Sequence, residues 1–410
     1  MISVAEASAR ILEGIRRLPA VSVATEDSVG KVLAEAVIAA ITSPPWDNSS
    51  MDGYAVRSTD IGQKGLRVVE TIAAGKFPSR PLGNGEAMRI MTGAPVPENA
   101  DSVIRKEDTD EGPEVVTIRD ARDAGKNIRK AGEDFREGDI LFDVGQQIGI
   151  PHLGVLASAG VKHVSVYRSP RVAIISSGDE LVELDDFTPE LAGSKIVSAN
   201  SITLAALVRE AGGDAVNIGI ASDSLESMKR KLDETAGFDL IITSAGISVG
   251  DHDHVRDAIT ALGGTIDFWK VRMRPGAPLA FGSLNGVPWI GISGNPVSAM
   301  VTFEVFVRPA IRKMRGLRNL FRKTIAVTLG EPIKLAASLM HFLRVVITTE
   351  GSSTVAHMAG SQSSAVLTAM ARANALLIVP GDRLSLETGD ELIAIPLGEE
   401  HHDAMSLVLG

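Results

Sequence analysis

Apolar residues return every three or four positions in MISVAEASARILEGIRR, and Ile11, Leu12, Ile15 and Leu18 share one face. That spacing predicts an amphipathic helix stopped by Pro19. A strand-like stretch and a second helix complete residues 1–43. TSPPWDNSSMDGYAVR, residues 42–57, has no apolar period and many turn formers, so it reads as a loop. From about 46 to 143 the short β-like runs LRVVETIAA, SVIRKED and EVVTIR alternate with Gly/Pro-rich turns, which predicts an all-β insertion. Within 144–168, IGIPHLGVLASAGVKHVSVY reads as a short helix and a strand.

Beyond residue 171 the period switches between two and 3.6. RVAIISSG, DAVNIGI, FDLIITSAG and TIDFWKVRM are strands, separated by helices in SANSITLAALVREAGG, SLESMKRKLDETAG and VRDAITALGG. Asn200 or Ser201 suits the N-cap of the first of these helices, and Gly212–Gly213 its end. Strands separated by such helices imply a parallel sheet with right-handed crossovers. GNPVSAMVTFEVFVRPAIRKMRG closes the region as a long helix, with Asn295 as N-cap and Pro296 at its first position. The last ninety or so residues, with KTIAVTLGEPI and ALLIVPGDRLSLETGDELIAIPL, form a small β domain.

Composition narrows the function classes. A chain of 410 residues exceeds a single core and predicts two to four domains. The absence of cysteine removes disulfides, thiolate zinc, iron–sulfur ligation and cysteine nucleophiles together. A net charge of -10 argues against non-specific nucleic-acid binding, while leaving room for a small anion held by local positive charge. No apolar run is long enough to span a membrane. Glu6, Arg10 and Glu13 interrupt what would otherwise be a signal-like start, and with no cysteine in the chain a cytoplasmic location is the simplest expectation.

In a parallel α/β sheet the ligand crevice opens beyond the carboxyl ends of the strands. Three small-residue loops fall there: SSGDEL at 176–181, TSAGISVGDHD at 243–253 and MRPGAP at 273–278. Their backbone N–H groups can approach an anion closely, and helix N-termini add favourable charge. DHDH at 251–254 has three readings. Two histidines two residues apart do not share a helix face, which disfavours zinc but leaves a His/Asp site open. Asp253 also suits a helix cap. In the third reading Ser244, Gly246 and Ser248 lie against a phosphate, while Asp251 or Asp253 approaches a magnesium ion on its oxygens. Lys270, Arg272 and Arg274 alternate along one strand and share a face, with Arg274 best placed to bind an oxyanion. A solvated strand face is the plainer account of the same three residues.

PPWDNSSMDGYAVR, MTGAPVP, SSGDEL, SAGISVGDHD, RPGAPLAFG and GNPVSA follow one another in that order, and SQSSAVLTAMARANALLIVP follows them. Together they closely resemble the molybdopterin molybdenumtransferase (MoeA) family, which is similar to the E domain of gephyrin. The resemblance covers nearly the whole chain. It implies a multidomain α/β plus β fold. Residues 1–45 with 144–170 would form a helical-strand domain, and 46–143 a β-rich insertion. Residues 171–318 would form the central parallel-sheet α/β molybdopterin-binding domain, and 319–410 a small barrel-like β domain.

The resemblance also implies a homodimer whose insertion domain completes the partner's site. Its implied activity is the last step of molybdenum cofactor synthesis: molybdate enters adenylylated molybdopterin and AMP leaves, with Mg2+ or another divalent cation present. A molybdopterin adenylyltransferase would act upstream. Carried onto this sequence, the catalytic positions are Asp52, Thr92, Asp134, Glu180 and Asp239. The metal would be held by Glu180, Asp251 and Asp253. Substrate would lie against Ser177, Gly178, Ser244, Gly246, Ser248, Gly250, Arg274, Pro275, Gly276, Ser293, Gly294 and Asn295.

Two positions depart from the family pattern. The usual KPGKP is RPGAP here, so Ala277 removes a charge, and Ser293 replaces a usual proline. Ala277 motivates an alternative, a non-catalytic cofactor-binding or scaffold paralogue. An enzyme that adenylylates molybdopterin is a further alternative. That activity resides in a single α/β domain, and the two flanking β regions argue against it as the sole role.

Overall fold

Ser3 caps the first helix, α1 (Val4–Gly14), its hydroxyl accepting from the Glu6 N–H at 3.0 Å. The apolar face places Ala7 and Ile11 in the core. The helix stops before the predicted end. Gly14 is pressed against Phe281, where a Cβ would come within 2.6 Å of the ring, and Ile15 is buried with extended backbone. The structure, a computed structural model, describes residues 1–246, 254–351 and 353–398. The chain divides into two compact units: Ser22–Val29 with Glu35–Ser165 in one, and Met1–Val21, Gly30–Ala34 and everything from Val166 onward in the other.

The second helix expected before residue 43 does not form. Val37–Ile38 is instead a strand, antiparallel to Ile140–Phe142. β-branched residues find a pairing partner about a hundred positions away, and tertiary context overrides the apolar run.

In the smaller unit five strands, β1 (Gly53–Val56), β2 (Leu66–Ile72), β3 (Glu86–Ile90), β4 (Ser102–Arg105) and β5 (Val115–Val116), form one sheet in the order β4-β1-β3-β2-β5. Ala55, Ile72, Met88, Ile90 and Val103 pack on one face, and Tyr54, Val56, Leu66, Ala87 and Ile104 on the other. Gly53 is required at the start of β1, since a Cβ there would lie 2.0 Å from the Ile104 carbonyl oxygen. Helix α2 (Ile150–Ser158) and the strand His163–Tyr167 follow the sequence pattern.

The larger unit holds β6 (Arg171–Ser177), α3 (Ala199–Glu210), β7 (Asp214–Ala221), α4 (Leu225–Asp233), β8 (Leu240–Ser244), α5 (His254–Ala261) and β9 (Thr265–Lys270). There follow β10 (Met273–Arg274), β11 (Pro278–Leu284), β12 (Val287–Ile292) and α6 (Pro296–Thr302). A π-helical turn at Phe303–Val307 leads into α7 (Arg308–Met314). The sheet runs β7-β6-β8-β12-β11-β9. Strands β7, β6 and β8 are parallel neighbours, as expected, and β12, which the sequence reading did not name, runs parallel to β8.

The sequence pattern did not reveal β11. It reverses in a hairpin around Asn285–Gly286 and is antiparallel to both β12 and β9, so the sheet is mixed. The charged strand also breaks. β9 ends at Lys270, and Arg274 belongs to β10 in a second sheet, so Lys270, Arg272 and Arg274 do not line one strand face. The α3 cap position is Ser198, ahead of the expected Asn200 or Ser201, and the helix ends before Gly212, whose φ is +87°.

Past residue 320, β13 (Ile325–Leu329), β14 (Met340–Glu350), β15 (Ser353–Met358), helix α8 (Leu367–Arg372), β16 (Ala375–Val379) and β17 (Glu391–Pro396) complete the unit. The strand order β14-β15-β13-β17-β16 closes on itself because β16 also pairs with β14, giving a barrel with no open edge among these strands. Val327, Leu343, Val345, Leu377 and Ala394 fill its core.

Candidate active site

Register brings the hydroxyl-bearing strand ends together. Ser176 of β6 is level with Ser244 of β8, and Ser244 with Ile292 of β12, next to Ser293. A cleft of about 610 Å³ opens there, lined by Ser176, Ser177, Glu180, Ser198, Asn200 and Ser244 among others, with Ser293, Gly294 and Asn295 opposite. The glycines are local necessities. Gly178 has φ +146°, and a Cβ on it would meet the Glu180 carboxylate at 2.5 Å. Gly246 has φ +69°, and a Cβ there would meet Val255 at 2.5 Å. Both allow the chain to turn tightly at the sheet's rim.

Few groups in this cleft are charged. Helix α3 starts at its wall, and its cap residue Ser198 makes no side-chain capping bond; its hydroxyl instead donates to Ser176 Oγ at 3.1 Å. Asn295 likewise makes no side-chain cap at the start of α6. The first-turn N–H groups of both helices are therefore not used by those caps, a favourable environment for an anion. Asn200 donates Nδ2 to Ser244 Oγ (2.7 Å) and to the Gly294 carbonyl (2.8 Å), while its Oδ1 is buried without a partner.

A second cleft of about 790 Å³ shares Pro278, Ser293 and Asn295 with the first. Its charge is basic: Arg274 from β10, Lys334, and Arg344 from β14. Arg344 is 1% exposed. Its Nη2 donates to the Ser361 and Ser363 carbonyls at 3.2 and 3.1 Å, its Nε has no partner, and no carboxylate pairs with it among the described residues. Burial pushes the guanidinium down to about 10. A buried cation without a counter-ion is costly, and an anion in the cleft would relieve that cost. Ala277 lines the same cleft, its carbonyl accepting from the Val271 N–H.

The sequence-derived positions separate into four groups. Ser177, Glu180, Ser244, Gly246, Ser293, Gly294 and Asn295 line the first cleft, with Gly178 in the loop between Ser177 and Glu180; Arg274, Pro275 and Gly276 line the second. Asp52 and Thr92 meet in the smaller unit, where Asp52 Oδ1 accepts from the Thr92 N–H and Oγ1–H, both at 2.7 Å. Those bonds, the backbone one foremost, hold the Asp52 carboxyl below its usual range. Asp134 lies on an exposed turn of that unit, its N–H bonded to the Ser43 carbonyl. Ser248, Gly250, Asp251 and Asp253 lie outside the described residues, so DHDH keeps its three readings.

Asp239 is not brought to the cleft. It immediately precedes β8, whereas the cleft lies at the other end of that strand, five residues or ~16 Å away. Arg168 grips it through both carboxylate oxygens at 2.8 and 2.7 Å, and the Arg171 N–H adds a third bond at 2.7 Å. Its place in the fold is a clamp between neighbouring strand starts.

The structure adds acids at the cleft end that the sequence reading passed over. Asp179 and Asp223 exchange backbone-to-carboxylate bonds of 3.0 and 3.3 Å beside Glu180. The signal was present in ASDS, an acid directly after a strand. Asn200 was read only as a cap. Arg344 went unnoticed inside the apolar run HFLRVV, where a lone arginine is itself the anomaly. No group of three or more His, Asp or Glu among the described residues could hold a metal, and no described helix is long and apolar enough to cross a membrane.

Comparison with known proteins places these features in context. Residues 2–160 match the model of the MoeA N-terminal region (domain I and II), 173–313 a probable molybdopterin binding domain, and 326–397 the MoeA C-terminal region (domain IV). A molybdopterin molybdenumtransferase of Staphylococcus aureus (strain COL) is 34% identical over 395 residues, 95% of this chain and 94% of that protein. Molybdopterin molybdenumtransferase 2 of Mycobacterium tuberculosis (strain CDC 1551 / Oshkosh) is 36% identical over 96% of this chain and 98% of its own length. The crystal structure of a molybdopterin biosynthesis MoeA protein from Pyrococcus horikoshii superposes with a TM-score of 0.81 at 27% identity, covering 97% of this chain and 99% of that one.

Proposed function

The chain belongs to the MoeA family of molybdopterin molybdenumtransferases, and from that premise we propose that it is a molybdenum insertase acting in molybdenum cofactor biosynthesis. Adenylylated molybdopterin occupies the hydroxyl-lined cleft, molybdate enters the basic one, and AMP is released. The observation that carries this reading is Arg344: a buried guanidinium with no carboxylate, in a cleft that shares its rim with a second cleft suited to phosphate.

In this reading the chain does most of its work by positioning charge. Hydroxyls of Ser177 and Ser244 and the α3 N-terminus hold the adenylyl phosphate. Arg274 and Arg344 draw the molybdate dianion to the shared rim, so its oxygens meet the substrate in a preset geometry. Magnesium binds through one or two carboxylates together with substrate phosphate and water. Glu180 is the acid lining the cleft among the described residues, and its carboxylate suits an ion that arrives with the substrate phosphate. When bound, that ion would neutralise phosphate charge. Asp52 and Thr92 belong to the insertion that would face a partner copy in a homodimer. A cytoplasmic location and supply of substrate by a molybdopterin adenylyltransferase complete the proposal.

The test is AMP release from adenylylated molybdopterin with and without molybdate, in magnesium. Molybdate-dependent release supports the insertase. Tight substrate binding with no release under either condition favours the scaffold alternative that Ala277 motivates, and ATP consumption would point to adenylylation instead.

A further inference from the structure

Ser244 ends β8 at the floor of the first cleft and is 2% exposed. Its oxygen accepts a 2.7 Å bond from Asn200 Nδ2. The orientation of that amide is fixed by its second bond: at 2.8 Å it faces the Gly294 carbonyl, which can only accept. The NH2 group must therefore lie on this side, and Ser244 must be the acceptor. A hydroxyl has one proton and two lone pairs. With one lone pair engaged by a group that can only donate, the Ser244 proton turns away from Asn200, and no described residue accepts it. Asn200, 7% exposed, leaves its own Oδ1 buried and unpartnered in this arrangement. An asparagine serving packing alone would satisfy both ends of its amide.

We propose that Asn200 is a positioning residue that holds the Ser244 hydroxyl as a hydrogen-bond donor toward the phosphate of a ligand in the first cleft. The inference rests on the phosphate-binding reading of that cleft given above. Asn200 sits on α3 and Ser244 on β8, so the bond also ties the helix start to the strand end at the point where the phosphate would lie. An uncharged donor aimed in advance costs nothing in reorganisation when the anion arrives.

The experiment measures binding of AMP and of adenosine to the full chain by calorimetry, for wild type, Ser244→Ala, Asn200→Ala, Asn200→Asp and the Asn200→Ala/Ser244→Ala pair. Ser244→Ala should weaken AMP roughly tenfold, the scale of one hydrogen bond to a charged group, and Asn200→Ala about threefold, because the freed hydroxyl must then be oriented on binding. The double variant should lose no more than about twofold beyond Ser244→Ala, because Asn200 acts only through that hydroxyl. Adenosine has no phosphate, so its affinity should stay within about twofold throughout. Asn200→Asp keeps the shape but cannot donate, so the Ser244 proton turns back and AMP affinity falls at least as far.

Additive losses, an equal loss for adenosine, or wild-type AMP affinity in Asn200→Asp would each overturn the inference. Should Asn200→Ala fail to fold, Ser244→Ala and Asn200→Asp carry the test, and unchanged AMP affinity in Ser244→Ala is then decisive against it. A wild-type chain that binds neither ligand overturns the cleft reading itself, and the inference falls with it.

Discussion

Replacing Arg344 with methionine separates the cost of a buried cation from its use. The guanidinium is 1% exposed, has no carboxylate partner among the described residues, and is pushed down to about 10 by burial. At pH 7 it is charged in the folded and unfolded chain alike, so the burial cost is constant there and is relieved only as pH rises above about 10. At 1.36 kcal/mol for each decade of proton affinity, the cost is on the order of 3 kcal/mol. Against it stand the Nη2 bonds to the Ser361 and Ser363 carbonyls, roughly 1.5 kcal/mol each for a charged donor. Methionine fills much of the same volume without charge. Arg344→Met should therefore fold with a stability within about 2 kcal/mol of wild type.

Molybdate binding should change completely. At a hundredfold excess over its dissociation constant a ligand adds about 2.7 kcal/mol of stability, enough to raise the melting temperature by several degrees. The assay is thermal unfolding of both proteins across a molybdate titration, with sodium chloride matched for ionic strength. Wild type should show a saturable rise and Arg344→Met none. A variant that retains the full molybdate-dependent rise would refute the assignment of Arg344 as the anion's partner, whatever its own stability.

Asp239→Ala should cost about 2 kcal/mol in urea unfolding by releasing Arg168 and the Arg171 N–H, while turnover per folded molecule stays within about twofold of wild type; a large loss of turnover at full stability would return Asp239 to the reaction. Ala277→Lys should tighten molybdate binding several-fold, read by the same thermal titration, and an unchanged affinity would mean that Arg274, Lys334 and Arg344 already saturate the cleft's capacity for charge. Thr92→Val removes the hydroxyl bond to Asp52 but keeps the backbone one, so the carboxyl should titrate closer to the usual aspartate value in carbon-detected NMR. Because folding lowers that value, the stabilisation is present above the unfolded pKa and fades as pH falls through the folded one; a titration identical to wild type would show that the hydroxyl bond contributes nothing.

The sequence was most legible where local pattern and tertiary structure agree. Parallel strands β6 and β8 are apolar runs ending in small polar residues, and both are buried along nearly their whole length. It was least legible where partners lie far apart in the chain. Val37–Ile38 reads as helix until Ile140–Phe142 is available to pair with it. Asp239 looks as available as any acid near a loop; only the strand's direction shows that it lies at the wrong end, and only Arg168, 71 residues earlier, shows what holds it. Asn200 looks like a cap because it opens a helix, and its role becomes visible only with Ser244 and Gly294 in place.

The distribution of charge explains how the RPGAP loop can depart from its family pattern without emptying the basic cleft. Arg274 comes from the short strand β10 and Lys334 from a two-residue strand outside the barrel, but Arg344 comes from barrel strand β14. A lysine at 277 would stand on the short connection between β10 and β11. Arg344 stands on a barrel strand, its backbone N–H fixed by Gln362 Oε1 at 2.9 Å and its Nη2 by two carbonyls. A cation held in this way has already lost its conformational freedom on folding, so its attraction for an anion is not reduced by ordering on binding. The loop is then free to vary in charge, while Gly276 is not: with φ +93° and a would-be Cβ 2.5 Å from Thr302 Oγ1, it determines where the loop passes and where Arg274 enters the cleft. Geometry in this loop is therefore more tightly constrained than charge, and Gly276→Ala should impair anion binding more than Ala277 does.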